Sequence, residues 1–378
     1  MKILVSGGHL TPALAFIDYV TKHSKKDSFV FVGRIYSRVK TKQKAREKTE
    51  VEKRNIPFVA FDSGKLGQGS VFLLPLTLLQ IIGAFFKAIH IFLRFKPDVY
   101  LSFGSYISVP LALAAWLLRI KIVVHEQTRT LGIANTFASR FASVVALSYP
   151  ETSKLISHPH VTVTGNPVRT SILQKNITAP TWYKTKSKDP ILYIAGGSQG
   201  SEIINTTVKQ SLALLTKEWV VIHQCGAKTT VRNYKKELEK KQKQLSLRTQ
   251  SKYFVREWVN ETELAWIYTT ATGAISRAGA NTVLELSLRY IPTIYIPLPF
   301  SHQNEQYLNA KCLAESKQAF LIQQKDLSPE KLLSLLDELK RKHGQIKRTL
   351  TQEQASVARG SEKLYKAVIA LKTTQKKK

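Results

Sequence analysis

The chain has 378 residues, a length that favours two domains, and its 43% hydrophobic content is enough for packed cores and excludes global disorder. Its formal net charge of +31 favours an anionic partner, which can be nucleic acid, lipid headgroups or a phosphorylated substrate. The two cysteines, Cys225 and Cys312, lie in separate segments without metal-binding spacing. A disulfide scaffold is therefore not expected, and the protein is expected to reside in a reducing cytoplasm.

Short apolar runs alternate with longer amphipathic segments in the first half, a pattern typical of a parallel sheet covered by helices on both faces. The first run, residues 3–6, is too short for the core of a signal peptide and predicts a buried strand. A basic helix is predicted over residues 34–54. The other predicted strands are 29–32, 56–60, 98–102, 121–125, 143–148 and 161–164.

The pattern stops over residues 170–189, which lack periodicity and are predicted to be a linker, and then restarts. The run Ile191-Leu-Tyr-Ile-Ala-Gly-Gly repeats the form of Ile3-Leu-Val-Ser-Gly-Gly: an apolar strand, two glycines and a helix. Two doubly wound α/β domains with a cleft between them are therefore predicted. Further strands are expected at 219–223, 252–255, 273–276, 293–296 and 319–322.

The apolar segment 71–95 has two interpretations. Its uncharged stretch, residues 71–86, has 16 residues and contains Pro75 and Gly83, so it falls short of the roughly 20 apolar residues that span a bilayer and fits a buried core helix. Its clusters of Phe, Leu and Ile, with Lys87 and Arg94 in a very basic chain, also fit a helix lying in a membrane interface. The interfacial interpretation is favoured, and the core interpretation stays open.

Three polar loops carry the candidate chemistry. Gly196-Gly197-Ser198-Gln199-Gly200 lies between a strand and a helix, where glycines permit close approach of a phosphate and the helix N-terminus can hold it. The loop is neither a Walker sequence nor a dinucleotide-binding glycine pattern. With residues 165–169 and 276–309 it predicts a nucleotide-diphosphate site in which Arg169 supplies charge and Glu285 binds sugar hydroxyls.

The motifs of this chain resemble the MurG family, the undecaprenyl-diphospho-muramoylpentapeptide N-acetylglucosaminyltransferases of bacterial cell-wall synthesis. The resemblance extends from Ile3 to about Leu371. The matching motifs are Gly104-x-Tyr106-x-Ser108-x-Pro110, His125-Glu126-Gln127, Gly165-Asn166-Pro167-Val168-Arg169, Gly196-Gly197-Ser198-Gln199-Gly200, His223-Gln224-x-Gly226, Ser276-Arg277-Ala278-Gly279-Ala280, Thr282-Val283-x-Glu285 and Gln306-x-x-Asn309-Ala310.

The resemblance implies a GT-B fold: two Rossmann-like domains with an interdomain cleft and a C-terminal helix that crosses back to the first domain. The implied domains are an acceptor-binding and membrane-associating domain at 1–166, a UDP-sugar-binding domain at 167–355, and a C-terminal helix with a basic tail at 356–378. The implied substrate-binding residues are Gly8 and Asn135 in the first domain, Arg169 and Ser198 at the diphosphate, Val259 at uracil, Ala280, Asn281 and Thr282 along the nucleotide sugar, Glu285 at the ribose and Gln306 at the sugar.

The implied reaction moves N-acetylglucosamine from its UDP donor to lipid I, the polyprenyl-diphosphate-linked muramoyl-pentapeptide, and inverts the anomeric centre if there is a single displacement. Such a reaction needs a base near the attacking hydroxyl and positive charge at the leaving diphosphate. The family-matched base is His9, and Glu126 is either a competing base or a support for it. Neither a metal nor a cofactor is expected, because Arg169 and a helix N-terminus hold the diphosphate.

The chain departs from the family pattern in three places. The family's first loop is Gly-Gly-Thr-Gly-Gly-His, whereas here only Gly7-Gly8 precedes His9. Thr128 stands where the family has Asn, and Glu305 stands where many members have His or Gln. The acceptor half therefore matches the family less fully than the donor half.

The expected location is the cytoplasmic face of the cell membrane, with residues 71–95 and basic residues on its anionic surface. Three alternatives stay open. A related GT-B enzyme can use another polyprenyl or glycerolipid acceptor. A basic nucleic-acid-binding protein is a second class, although no RRM, KH or zinc signature is present and nucleic acid is not an expected partner. A catalytically inactive membrane scaffold is the third.

Overall fold

A computed structural model of the chain describes residues 1–38, 43–44, 47–63, 74–174, 176–197, 199–228, 232–351 and 359–373. The chain forms two compact units. The first unit comprises Met1–Arg169 and the C-terminal segment that begins at Ser356, and the second comprises Thr170–Ala355.

The first unit is built on a seven-stranded parallel sheet, and each of its strands overlaps a predicted one. Its strands and a separate small hairpin are Lys2–Gly7 (β1), Ser28–Gly33 (β2), Tyr36–Arg38 (β3), Gln43–Lys44 (β4), Phe58–Ala60 (β5), Val99–Phe103 (β6), Lys121–Glu126 (β7), Val144–Leu147 (β8) and Val161–Val163 (β9). The order in the large sheet is β5-β2-β1-β6-β7-β8-β9, and β3 pairs with β4 outside it.

Helices cover both faces of this sheet. Ile3 and Val5 face a core that includes Phe16, whereas Leu4 faces a second core that includes Phe92 and Leu111. The alternation follows from the two-residue repeat of a strand, and it explains why β1 is apolar throughout. The helices are Leu10–His23 (α1), Glu47–Glu52 (α2), Leu74–Phe95 (α3), Ser108–Leu117 (α4) and Ile133–Ser139 (α5).

The predicted basic helix over residues 34–54 is wrong in its first part. Among the residues of this stretch that the structure describes, only those of α2 are helical, and Tyr36–Arg38 pairs with Gln43–Lys44 in the β3–β4 hairpin. Like charges stand four residues apart at Arg34 and Arg38 and again at Lys40 and Lys44, and such pairs destabilise a helix.

Helix α3 has two apolar faces with different environments. Ala84, Ala88 and Phe92 are buried in the core beside α4. Leu79, Ile82, Phe86 and Leu93 form an exposed stripe at helical spacing, with Leu79 exposed to 65% and Phe86 to 63%. Residues 71–73 of the predicted segment lie outside the described part of the chain. Within that part, a search for helices long and apolar enough to cross a bilayer finds none.

The second unit repeats this plan with a six-stranded parallel sheet. Its strands are Ile191–Ala195 (β10), Val220–Gln224 (β11), Tyr253–Arg256 (β12), Gly273–Ser276 (β13), Thr293–Tyr295 (β14) and Phe320–Leu321 (β15), and each overlaps a predicted strand. Their order in the sheet is β12-β11-β10-β13-β14-β15. The helices are Glu202–Glu218 (α6), Tyr234–Gln242 (α7), Leu247–Gln250 (α8), Glu261–Thr270 (α9), Ala280–Leu288 (α10), Glu305–Glu315 (α11) and Pro329–Thr351 (α12).

The segment predicted to be a linker packs on the second unit. The Tyr183 ring lies 4.6 Å from the Trp266 ring, and the Trp182 indole N–H donates to Glu263 at 2.7 Å. These aromatic contacts explain why a stretch without periodicity is nevertheless ordered where it is described.

The last helix returns to the first unit. Gly360–Thr373 (α13) buries Leu364 and Val368 in the same core as Phe16 of α1. A Cβ at Gly360 would overlap the Asn166 carbonyl, so the helix begins in close contact with the end of the first sheet.

Each sheet has one point where its strand order reverses. In the first unit it lies between β1 and β6, and in the second between β10 and β13. Loops at the carboxyl ends of such a strand pair form the ligand-binding crevice of open α/β sheets. The loop with His9 and the loop with Gly196 therefore each occupy the favoured position in their own unit.

Candidate active site

The first candidate site begins where two loops of the first unit meet. Gly8 follows β1, and a Cβ there would overlap the Cβ of Ser105, which follows β6. Gly104 and Ser105 have φ values of +82° and +79°, so the β6 loop turns sharply towards Gly8. Gly8 is thus required by close packing of the two loops, whether or not it also contacts a ligand.

His9 is half-buried and occupies the N-cap position of α1, but its side chain makes no capping hydrogen bond. Burial lowers its pKa below the ordinary value, the Glu126 charge raises the pKa, and the Arg34 charge lowers it. The imidazole is therefore neutral near pH 7, which is the form that accepts a proton.

Glu126 ends β7 in a buried position, and hydrogen bonds hold both carboxylate oxygens. Oε1 accepts the Thr128 N–H at 3.0 Å and the Thr128 hydroxyl at 2.7 Å. Oε2 accepts the Gly132 N–H at 3.1 Å and the Asn135 amide at 2.9 Å. Because these four contacts commit the carboxylate to its own loop, the geometry favours Glu126 as a charged neighbour of His9 rather than as the proton acceptor.

Thr128 and Asn135 complete this loop. Thr128, at the position where the family has Asn, closes the turn onto Glu126. Asn135 is buried on α5, and its amide also donates to the His125 carbonyl at 3.3 Å. Its Oδ1 has no hydrogen-bond partner among the described residues, which leaves an acceptor for a substrate hydroxyl.

His125 precedes Glu126 and serves the fold. Its Nε2 lies 3.1 Å from the Gly165 carbonyl, so this nitrogen carries the proton and the ring is neutral. Burial lowers its pKa to about 4. The bond ties β7 to the loop 165–169, at whose end Arg169 is half-buried.

The second candidate site is the glycine loop after β10. Gly197, Gly200 and Gly226 have φ values of +86°, +75° and +92°. A Cβ at Gly200 would overlap the Cys225 carbonyl, and one at Gly226 would overlap Gly200. The motifs of residues 196–200 and 223–226 are thus two halves of one packed turn. Ser198 lies outside the described residues, so its predicted diphosphate contact stays a prediction.

A buried network of hydrogen bonds supports this turn. His223 Nδ1 accepts from the Tyr253 hydroxyl at 2.8 Å, and its Nε2 donates to Asn205 Oδ1 at 3.0 Å. The Asn205 amide in turn donates to the Cys225 carbonyl at 2.9 Å, beside Gly200. Burial lowers the His223 pKa to about 3, so the network holds a neutral ring.

Replacing Gly200 by alanine should disrupt this turn, because the new side chain meets the Cys225 carbonyl at a positive φ. We expect a loss of unfolding free energy of about 2–4 kcal/mol, from overlap and backbone strain together. Gly344→Ala is the matched control: it lies in α12 with open space around its Cβ and should add about 0.5–1 kcal/mol of stability. Urea unfolding of the three proteins checks this, and equal midpoints would contradict it.

A second loop at the switch point is organised by Arg277, which directly follows β13. Its Nη1 donates to the carbonyls of Ile296 and Pro297, both at 3.0 Å. Its Nη2 donates to the Ser201 hydroxyl at 2.8 Å and to Gln324 Oε1 at 2.7 Å. One guanidinium therefore fixes the ends of β13 and β14 and the start of α6. The sequence pattern did not predict this role.

Helix α10 carries four of the predicted donor-binding residues. Its N-cap, Gly279, provides no side-chain cap, and Ala280, Asn281 and Thr282 form the first turn, where backbone N–H groups lack intrahelical partners. Glu285 is buried further along the same helix and makes polar interactions there.

The remaining predicted residues surround α10. Gln306 Oε1 accepts the Leu298 N–H at 3.0 Å, which shapes the loop after β14. Asn309 donates to the Ala278 carbonyl at 3.2 Å, and its buried Oδ1 has no partner among the described residues. Val259 is buried in the core that also contains Ala278. Of the predicted site residues, the first unit contains Gly8, His9, Glu126 and Asn135. The second unit contains Val259, Ala280, Asn281, Thr282, Glu285 and Gln306.

Over the described ranges, no group of three or more His, Cys, Asp or Glu side chains is placed to hold a metal ion.

Two Rossmann-like sheets, each with polar loops at the switch point where open α/β sheets bind ligands, place the chain among α/β proteins of the nucleotide-binding type. The family model of the glycosyltransferase family 28 N-terminal domain matches residues 6–147, and that of the C-terminal domain matches residues 191–364. The chain therefore belongs to glycosyltransferase family 28, and it is a glycosyltransferase.

Named relatives agree with this family. The UDP-N-acetylglucosamine–N-acetylmuramyl-(pentapeptide) pyrophosphoryl-undecaprenol N-acetylglucosamine transferase 2 of Bacillus cereus is 31% identical over 352 residues, covering 91% of this chain and 92% of the relative. The transferase of the same name from Histophilus somni is 33% identical over 341 residues, covering 89% of this chain and 88% of the relative. The crystal structure of Acinetobacter baumannii MurG is similar with a TM-score of 0.68 and 23% identity, over 97% of this chain and 99% of that one. The predicted family and the predicted GT-B type of α/β fold are confirmed.

Proposed function

We propose that this chain transfers N-acetylglucosamine from UDP-N-acetylglucosamine to the muramyl-pentapeptide pyrophosphoryl-undecaprenol acceptor, which is the step from lipid I to lipid II in peptidoglycan synthesis. The observation that carries the proposal is the 31% identity, over 91% of the chain, with a relative named for this transfer. The positions of the candidate residues at the two switch points support it.

The proposed chemistry is a single inverting displacement. His9 accepts the proton of the attacking acceptor hydroxyl as the new bond to the anomeric carbon forms. The bond from that carbon to the UDP oxygen breaks, and the electron pair leaves with UDP. Glu126 lies near enough to act on His9 electrostatically, and a negative charge there stabilises the imidazolium that forms.

The proposed donor-binding residues lie in the second unit, apart from Arg169, which is the last residue of the first. Arg169 and Ser198 bind the diphosphate, Val259 meets uracil through its backbone, and Glu285 holds the ribose. The first turn of α10, with Ala280, Asn281 and Thr282, lies along the nucleotide sugar, and Gln306 binds the sugar. The fixed loops around Arg277 support this assignment, because preorganised donors stabilise developing charge without reorganisation.

An acceptor panel tests the proposed function. Radiolabelled N-acetylglucosamine is offered as its UDP donor to the full chain with a soluble lipid I analogue, a polyprenyl phosphate or a diacylglycerol. Transfer to the lipid I analogue alone is expected. Transfer to one of the other lipids instead would overturn the acceptor assignment and favour the related GT-B enzyme, the alternative that the short Gly7-Gly8 loop makes worth testing.

We propose further that the exposed stripe of α3, defined as Leu79, Ile82, Phe86 and Leu93, docks the enzyme peripherally on the cytoplasmic membrane surface that holds the acceptor. The stripe is apolar, and Lys87 and Arg94 on the same helix supply charge for anionic headgroups. Helix α4 packs on α3 and exposes two more large apolar side chains, Trp116 and Leu117.

Replacing both Leu79 and Phe86 by glutamate should reduce binding to vesicles with anionic lipid at least tenfold, because apolar burial is lost and charge repulsion is gained. Leu247→Glu is the control, since Leu247 is 84% exposed in the second unit. Vesicle co-sedimentation measures the binding. An unchanged vesicle affinity of the double variant would contradict this docking surface.

A further inference from the structure

The acceptor loop of this chain is short, and the structure places a cation beside it. Only Gly8 separates the end of β1 at Gly7 from His9, so few backbone N–H groups are available there for an anionic substrate. Arg34, which follows β2, acts electrostatically on His9. It was not among the residues that the sequence pattern singled out.

The Arg34 guanidinium meets the Tyr106 ring although the two residues come from opposite sides of β1. The neighbours of β1 in the sheet are β2 and β6, and Arg34 leaves the sheet just after β2 whereas Tyr106 leaves it just after β6. The Arg34 guanidinium carbon lies 5.7 Å from the centre of the Tyr106 ring. The Tyr106 hydroxyl donates to Asp62, which follows β5, at 2.7 Å. Side chains from both sides of β1 therefore meet at the edge from which Gly8 and His9 emerge.

A buried carboxylate holds Arg34 in this position. Glu47 accepts the Arg34 backbone N–H at 2.7 Å and its Nη2 at 3.2 Å. Burial raises the Glu47 pKa, and the Arg34 charge opposes that rise. Gly33 leaves room for the carboxylate, because a Cβ there would stand 2.7 Å from Glu47 Oε2.

The anchored guanidinium keeps unused binding capacity. Its side chain is 23% exposed, so part of the guanidinium faces solvent, although its Nε is buried. A guanidinium has five N–H donors in a planar fork that matches phosphate oxygens. Held at one end by Glu47 and flanked by Tyr106, it can accept a second anion at little conformational cost.

We propose that Arg34 is a substrate-binding residue that holds the diphosphate of the polyprenyl-linked acceptor beside His9, in place of the backbone N–H groups that the short first loop lacks. This role rests on the proposed function, since it deepens the acceptor half of the same site. The bound diphosphate orients the acceptor sugar so that its hydroxyl meets the imidazole.

Direct binding tests this role independently of transfer. Farnesyl diphosphate, a short soluble prenyl diphosphate, is titrated calorimetrically into the full wild-type chain, Arg34→Gln and Arg34→Lys. Loss of charge-assisted bonds should weaken binding about 10- to 100-fold in Arg34→Gln, with Arg34→Lys between the two. Arg248→Gln removes an exposed arginine of the second unit and should bind as the wild type does. Equal affinity of the wild type and Arg34→Gln, or no binding by the wild type, would overturn the proposal.

Steady-state transfer to a soluble lipid I analogue separates this role from a structural one. In Arg34→Gln the acceptor KM should rise about tenfold or more while the donor KM stays within about twofold. Glu47→Gln keeps the guanidinium but weakens its anchor, so its acceptor KM should change less. An acceptor KM raised equally in both variants, with equal loss of thermal stability, would show that Arg34 only supports the loop. Absence of wild-type transfer together with Arg34-dependent diphosphate binding would defeat the proposed function and leave the role of Arg34 standing.

Discussion

Replacing His9 by alanine should lower kcat by about two to four orders of magnitude, because the reaction then lacks its general base. His9 occupies the N-cap of α1 without a side-chain capping bond, and it interacts electrostatically with Glu126, whose carboxylate already accepts four hydrogen bonds. The KM for UDP-N-acetylglucosamine should change little, since the proposed donor residues other than Arg169 lie in the second unit. Initial rates with saturating acceptor measure both constants.

The pH dependence of the wild type gives a second readout of the same group. Burial lowers the His9 pKa, so the neutral base should persist below the ordinary imidazole value and kcat/KM should fall only as the pH drops through the lowered pKa. His23→Ala, at the exposed C-terminal end of α1, is the control and should retain the wild-type rate and profile. A His9→Ala enzyme with the wild-type kcat and an unchanged acid limb would rule out His9 as the base.

Replacing Arg277 by alanine should raise the donor KM about 100-fold and lower the free energy of unfolding by about 2–4 kcal/mol. Four hydrogen bonds disappear, and the buried acceptors around the guanidinium lose their partner. Arg277→Lys should recover only part of the loss, because an ammonium lacks the planar fork that reaches several acceptors at once. Donor titration and urea unfolding measure the two effects.

Arg289→Ala is the matched control for this prediction. Arg289 is also a partly buried arginine with a pKa lowered by burial, and it donates to the Tyr268 carbonyl and the Thr269 hydroxyl, away from the donor loops. Its loss should cost stability but leave the donor KM near the wild-type value. Equal donor KM values for Arg277→Ala and Arg289→Ala would contradict the organising role of Arg277.

The sheets could be predicted from the sequence because buried parallel strands read as short apolar runs. The run at residues 3–6 and its repeat at 191–195 both became central strands. The β3–β4 hairpin was missed, because its basic residues resemble a solvated helical face. The like charges four residues apart in that stretch disfavour the helix that was predicted.

The motifs predicted where the site residues lie but not how they are used. Glu126 was predicted to be a competing base or a support for His9, yet its four hydrogen bonds depend on the fold of the whole loop and cannot be read from spacing. Arg277 was visible within a motif, but its acceptors come from three separate segments. Arg34 lies outside the motifs, and only the β2-β1-β6 order of the sheet brings it over the first loop.

The most direct test of the central claim is the anomeric configuration of the product formed from UDP-N-acetylglucosamine and a soluble lipid I analogue, determined by NMR of the isolated disaccharide. The proposed single displacement at the α-linked donor predicts a β-linked N-acetylglucosamine, formed by the wild type and nearly absent with His9→Ala. An α-linked product, or intact donor binding without any transfer to this acceptor, would contradict the account.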